Sequence, residues 1–188
     1  MKKWLMVIAA LMLAACSSSN SGKVYYQLPA NAQPASQVVS QTGSNLLWID
    51  QIVLADYLAA DGVVYQTSDV QYVIATNNLW ASPLDQQLRN SLINNLSQAM
   101  PGWIVASQPL ASEQSALTVN ITGFHGRYDG KVIVSGEWLL KQNNEIINRP
   151  FRIELAQQDD GYDAMVKTLA QAWQQEARSI ASELLRRQ

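Results

Sequence analysis

LTVNITGFHGRYDGKVIVSGEWLL, residues 117–140, reads as two strands joined by a tight turn. Leu117, Val119 and Ile121 alternate with Thr118, Asn120 and Thr122, so one face of the first strand is apolar and the other polar. Tyr128-Asp129-Gly130-Lys131 carries the Asp-Gly pair that tight hairpin turns favour, because glycine accepts a positive φ. The return strand sets Val132, Val134, Trp138 and Leu140 against Ser135, Glu137 and Lys141. A meander with one face turned to a core is the simplest structure this pattern permits.

The same signals extend in both directions. Downstream, Asn143-Asn144 marks a second turn, and Phe151, Ile153 and Leu155 alternate with Arg152 and Glu154. Pro150 has no backbone N–H to donate, so that segment suits a sheet edge or a strand end. Upstream, residues 46–54 read as a largely buried strand, followed by Tyr57-Leu58 and a turn at Asp61-Gly62. Residues 63–66, 70–74 and 103–106 are further strand candidates, rich in β-branched and aromatic side chains. Leu84, Leu88, Leu92 and Leu96 fall four apart and predict an amphipathic helix ended by Pro101-Gly102. Ser82 is its expected N-cap, with Pro83 at the first helical position and Asp85 three residues after the cap. After Asp159-Asp160-Gly161, the spacing of Tyr162, Met165, Val166, Leu169, Trp173, Ile180 and Leu184 predicts a second helix. Arg186-Arg187 close it, where the helix dipole favours cations. The expected fold class is α+β: an antiparallel β-sheet with two amphipathic helices packed on it.

The amino terminus has a different character. Two lysines, an apolar run and Ala14-Ala15 precede the chain's only cysteine, Cys16. That is the layout of a secretory signal peptide, and the run is shorter than the roughly 20 apolar residues a membrane-spanning helix needs. Leu13-Ala14-Ala15-Cys16 resembles the bacterial lipobox. The resemblance implies a diacylglyceryl thioether on the Cys16 sulfur, cleavage before Cys16, and acylation of the new amino terminus, with palmitate as the expected chain. Several acyl chains hold a protein stably on a membrane. Ser17, rather than Asp, follows the cysteine. By similarity to Gram-negative lipoproteins this implies sorting to the inner, periplasmic leaflet of the outer membrane. The expected organisation is a lipoprotein signal peptide at 1–15, a lipidated tether and linker at 16–44, and one α+β domain at 45–188. Within the tether, Val24-Tyr25-Tyr26-Gln27-Leu28-Pro29 reads as a short apolar island, strand-like and ended by proline. Loss of Lys2 and Lys3 leaves 11 basic against 15 acidic side chains, a balance that does not favour nucleic acid.

Catalytic signatures are sparse. His125 is the only histidine, so a two-histidine zinc motif cannot be assembled from one chain. There is no Gly-x-Ser-x-Gly elbow and no phosphate-cradling glycine loop. Glu137 and Glu154 fall on polar strand faces, where solvation outweighs a paired-carboxylate role. Asp159, Asp160 and Asp163 fit the start of a helix better than a cation site. Neither a metal nor a cofactor is expected. Tyr57, Tyr65, Tyr72, Trp80 and Trp103 gather in the first half, as core or as a partner surface.

Several stretches resemble the ABC-type transport auxiliary lipoproteins. They are the lipobox, Tyr25-Tyr26-Gln27-Leu28-Pro29, Asp56-Tyr57-Leu58 and Gly62-Val63-Val64-Tyr65-Gln66-Thr67-Ser68-Asp69-Val70. Two longer ones run from Asn78 through Trp80-Ala81-Ser82-Pro83 to Arg89, and from Gly126 through Tyr128-Asp129-Gly130 to Trp138; Gly161-Tyr162-Asp163 also fits. The resemblance implies a non-enzymatic subunit of an MCE-type intermembrane lipid transport complex. Such a subunit docks a periplasm-spanning MCE-domain tunnel at the outer membrane and supports membrane integrity. The implied partners are the MCE-domain protein, an inner-membrane protein reached through it, membrane lipid, and further copies of the chain in a ring. Two other readings fit the same anchor and size: an accessory lipoprotein of outer-membrane protein or lipopolysaccharide assembly, and a tethered periplasmic hydrolase.

Overall fold

In the computed structural model, residues 22–29, 45–111, 114–142 and 145–187 are described. The signal peptide, Cys16, Ser17, the linker at 30–44 and the turn expected at Asn143-Asn144 lie outside them. The strands are β1 (Val24–Tyr26), β2 (Asn45–Leu54), β3 (Gly62–Ser68), β4 (Gln71–Trp80), β5 (Trp103–Ala106), β6 (Ser115–Arg127), β7 (Lys131–Gln142) and β8 (Glu145–Ala156). The helices are α1 (Leu84–Ala99), between β4 and β5, and α2 (Tyr162–Leu185), after β8; a single 3-10 turn covers Asp56–Leu58.

The expected hairpin is β6–β7, and it is the spine of the sheet. One edge of β6 pairs with β7 almost throughout, and β7 pairs with β8, both antiparallel. The other edge of β6 is shared. Its first half takes β2, and its end takes β3 through Tyr65 opposite Gly126 and Gln66 opposite Arg127. β5 extends the β2 branch, while β4 and then β1 extend the β3 branch.

The sheet is therefore mixed, not antiparallel as the local signals implied. β2 runs parallel to both β5 and β6, β3 parallel to β6, and β1 parallel to β4. The physical reason is the crossover. Hairpin turns can specify only antiparallel neighbours, whereas parallel strands need a long connection that returns the chain to the same end. Between β2 and β5 that connection includes the β3–β4 hairpin and α1.

Both helices lie on one face, α1 over β2 and β5 and α2 over β6, β7 and β8, and they pack against each other. Leu88, Leu92 and Leu96 meet Leu117, Val119, Ile121, Val134, Leu140, Leu169 and Trp173 in one continuous core. A β-bulge between Ile121 and Gly123 changes which residues reach it. Leu117, Val119 and Ile121 face the helices before the bulge, and Phe124 does after it. His125 consequently turns to the opposite face, beside Tyr72.

Two helix starts differ from expectation. Pro83, not Ser82, occupies the N-cap of α1, and no side chain caps it. Gly161, at φ 96°, takes the N-cap of α2 in place of the preceding aspartates. In the first turn of α1 the buried Gln87 ties the helix to the segments around it without capping it. Its Nε2 donates to the Ser82 carbonyl at 2.7 Å, and its Oε1 accepts from the Leu28 N–H at 2.8 Å. The apolar island is thus not loose: Ala81 N–H donates to the Tyr26 carbonyl, Leu28 is buried, and β1 forms an edge of the sheet.

Candidate functional site

The residues singled out for chemistry do not converge. His125 is 3% exposed, and neither ring nitrogen has a hydrogen-bond partner. Burial first, then the Arg152 and Arg127 guanidinium groups, pull its pKa down to about 4, so the ring is neutral at physiological pH. It stacks on Tyr72 at 5.1 Å between ring centres, with Tyr57 at 6.5 Å. Burial and Tyr72 push the Tyr57 hydroxyl up to about 12, and it donates to the Thr122 carbonyl at 2.8 Å.

The two glutamates are occupied elsewhere. Glu137 accepts from Asn120 at 3.2 Å and from Asn148 at 3.1 Å. Glu154 accepts from Arg127 at 2.8 Å and pairs with Arg152 at 2.9 Å, hydrogen bonds that hold its carboxyl below the usual range. Arg127 also clamps Asp129, whose pKa is drawn down to about 2 by that bond. Asp163 sits in the first turn of α2, beside the Tyr26 hydroxyl. Among the described residues no three His, Cys, Asp or Glu side chains are grouped to hold a metal ion. No described helix is long and apolar enough to cross a membrane.

The aromatic group divides. Trp80 and Trp103 are buried in the core, and Tyr57 and Tyr65 pack half-buried against it. Tyr72 is on the surface, the outcome expected of a partner surface rather than of core, and its strand neighbours join it there. Val70, Tyr72, Val73 and Ile74 are all exposed at the start of β4. Apolar residues on both faces of a strand usually mark a doubly covered central strand. Here the start of β4 is covered only in part: Tyr72 stacks on His125 and lies against Tyr57, while Val70, Val73 and Ile74 keep much of their surface exposed. The hairpin is braced from within. Gln66 Nε2 donates to the Asp69 carbonyl, Thr67 Oγ1 to the Gln71 carbonyl, and the Tyr128 hydroxyl to the Asp69 carboxylate. Tyr128 itself is exposed on the β6–β7 turn. Among the described residues, Val70, Tyr72, Val73, Ile74 and Tyr128 thus gather exposed apolar surface at this end of the sheet.

The chain belongs to the family of ABC-type transport auxiliary lipoprotein components, whose family model matches residues 26–181. Within it, the chain is 63% identical over 186 residues to the intermembrane transport lipoprotein PqiC of Escherichia coli (strain K12), covering 99% of both chains. The PqiC of Shigella flexneri matches to the same extent. A crystal structure of an uncharacterized protein superposes with a TM-score of 0.79 at 61% identity, covering 87% of this chain and 99% of that one. A Xanthomonas campestris protein shares the fold with a TM-score of 0.69 at 15% identity, over 84% of this chain and 92% of its own.

Proposed function

We propose that this chain is a lipid-anchored subunit of an MCE-type intermembrane lipid transport complex, held at the inner leaflet of the outer membrane. The observation that carries the reading is 63% identity over 99% of both chains to a protein named as an intermembrane transport lipoprotein. In this reading residues 1–15 are removed, Cys16 carries the acyl chains, Ser17 directs sorting, and the residues from 16 up to the docked strand β1 tether the domain. The domain docks the periplasmic tunnel of a PqiB-like MCE-domain protein and, through it, connects to a PqiA-like inner-membrane protein. A ring of identical subunits gives lipid a continuous path and supports membrane integrity. The role is non-enzymatic. Its support is the relatives' name, together with carboxylates engaged by Arg127, Arg152, Asn120 and Asn148 rather than facing His125.

Cys16→Ala tests the anchor. The variant is expected to accumulate as an uncleaved precursor at the inner membrane, read by fractionation and intact mass. A variant that still reaches the outer membrane at its mature mass contradicts the reading.

A further inference from the structure

The chain enters β1 from the end of the domain that carries the exposed apolar tip of the β3–β4 hairpin. β1 runs parallel to β4, with Val24 opposite Asn78. Moving back along β4 from Asn78 leads to Gln71 and the hairpin tip. Moving back along β1 from Val24 sends the chain in that same direction. Eight residues separate Cys16 from Val24, and eight separate Val70 from Asn78. Eight residues reach at most about 26–29 Å, and eight residues of strand rise about 27 Å or less. The segment before β1 is therefore just long enough to bring Cys16 level with Val70. The β6–β7 turn lies at this end too, because Gln66 near the end of β3 pairs with Arg127 at the end of β6.

The tip has the composition of a shallow membrane contact. Val70 is 86% exposed and Val73 52%. Tyr72 and Tyr128, both exposed, flank it. Tyrosines favour the headgroup level, where the ring meets apolar chains and the hydroxyl stays wet. Asp69, beside Val70, limits the depth, and its carboxylate is already engaged by the Tyr128 hydroxyl. Exposed apolar side chains gathered at one hairpin tip, on both faces of its strand, point to an interaction surface. A lipid surface is the occupant that the eight-residue tether places against it.

We propose that the β3–β4 hairpin tip dips into the headgroup layer of the leaflet that holds the Cys16 acyl chains, as a second, non-covalent membrane contact that fixes the tilt of the domain. This rests on the lipoprotein reading above. The anchor spends the chain's only cysteine, so Val70→Cys adds a single free thiol to the mature lipidated protein. That thiol can carry an environment-sensitive fluorophore. The probe is a vesicle of phosphatidylethanolamine and phosphatidylglycerol, with and without nitroxide-labelled lipid. Expected is a blue shift on vesicle binding and a several-fold greater nitroxide quenching than for the same label at Ile146→Cys, an exposed site on β8. Adding Val73→Asp should reduce the quenching while the chain still floats with the vesicles. If the protein floats but the label at position 70 stays unquenched, the hairpin contact is wrong and the anchor stands. A blue shift without quenching assigns the tip to a second copy and also overturns the contact. Failure to float overturns the anchor, and the hairpin proposal with it.

Discussion

Replacing Trp173 with alanine is expected to lower the unfolding free energy by about 4 kcal/mol, as for other fully buried tryptophans. Its side chain is fully buried on α2. Its Nε1 donates to the Leu88 carbonyl of α1 at 3.1 Å, and its ring lies 6.4 Å from that of Phe151 on β8. One side chain thus joins both helices to an outer strand. Truncation removes the buried apolar surface and leaves a cavity between elements that cannot all collapse at once. With a urea slope near 2 kcal/mol/M the midpoint falls by about 2 M. Trp173→Phe keeps most of the ring and loses the hydrogen bond, so its cost should be nearer 1–2 kcal/mol. Far-UV circular dichroism of soluble protein beginning just after Cys16 measures both. A Trp173→Ala midpoint within 0.3 M of the parent, the equivalent of about 0.6 kcal/mol at that slope, contradicts this packing role.

Glu176→Gln is expected to stabilise the protein by about 3 kcal/mol at pH 8 and to expose a hidden pH dependence. Glu176 is 4% exposed, and Trp138 Nε1 donates to its Oε1 at 3.0 Å. Burial pushes its pKa up to about 7 from 4.5, against the smaller downward pull of that bond. Between those values the folded chain keeps a proton that the unfolded chain releases. Stability therefore falls as pH rises through that interval and levels off above it. Glutamine keeps the acceptor and cannot ionise. His125 acts with the opposite sign. Its pKa drops from 6.5 to about 4 on folding, so stability falls as pH falls through that interval. The two slopes oppose each other where the intervals overlap, and the parent should be nearly flat there. Glu176→Gln should then lose stability from neutral to pH 4.5, and His125→Leu should lose it from pH 4.5 to neutral. Urea unfolding at pH 4.5, 6.5 and 8 measures this. A Glu176→Gln curve parallel to the parent's contradicts the buried, protonated glutamate.

The parts of the fold legible in the sequence are those set by neighbours in the chain. The β6–β7 hairpin, the leucine stripe of α1 and the spacing of α2 all follow from local periodicity. The parallel pairings do not, because β2 finds β5 and β6 only after the intervening hairpin and α1 have brought the chain back. Docking of β1 was equally hidden. It rests on three strand residues and on Gln87, whose carbonyl reaches Leu28 across 59 residues of sequence. The bulge after Ile121 reverses the alternation, which is why simple periodicity does not place His125 under Tyr72. Of the proposed functional residues, Cys16 and Ser17, which lie outside the described residues, are legible as a proposal because a processing motif is linear. The hairpin tip is not, because Val70, Tyr72, Val73 and Ile74 have the composition of a buried strand and only the tertiary layout leaves them uncovered.

The proposed role requires this chain to join an MCE-domain protein at the outer membrane. Isolating the tagged, lipidated protein from purified outer membranes in mild detergent, after brief cross-linking in intact cells, measures that directly. The expected result is a Cys16-lipidated ring of several copies carrying the PqiB-like MCE-domain protein. A monomer free of any MCE-domain protein, or one carrying outer-membrane protein or lipopolysaccharide assembly factors instead, would contradict it.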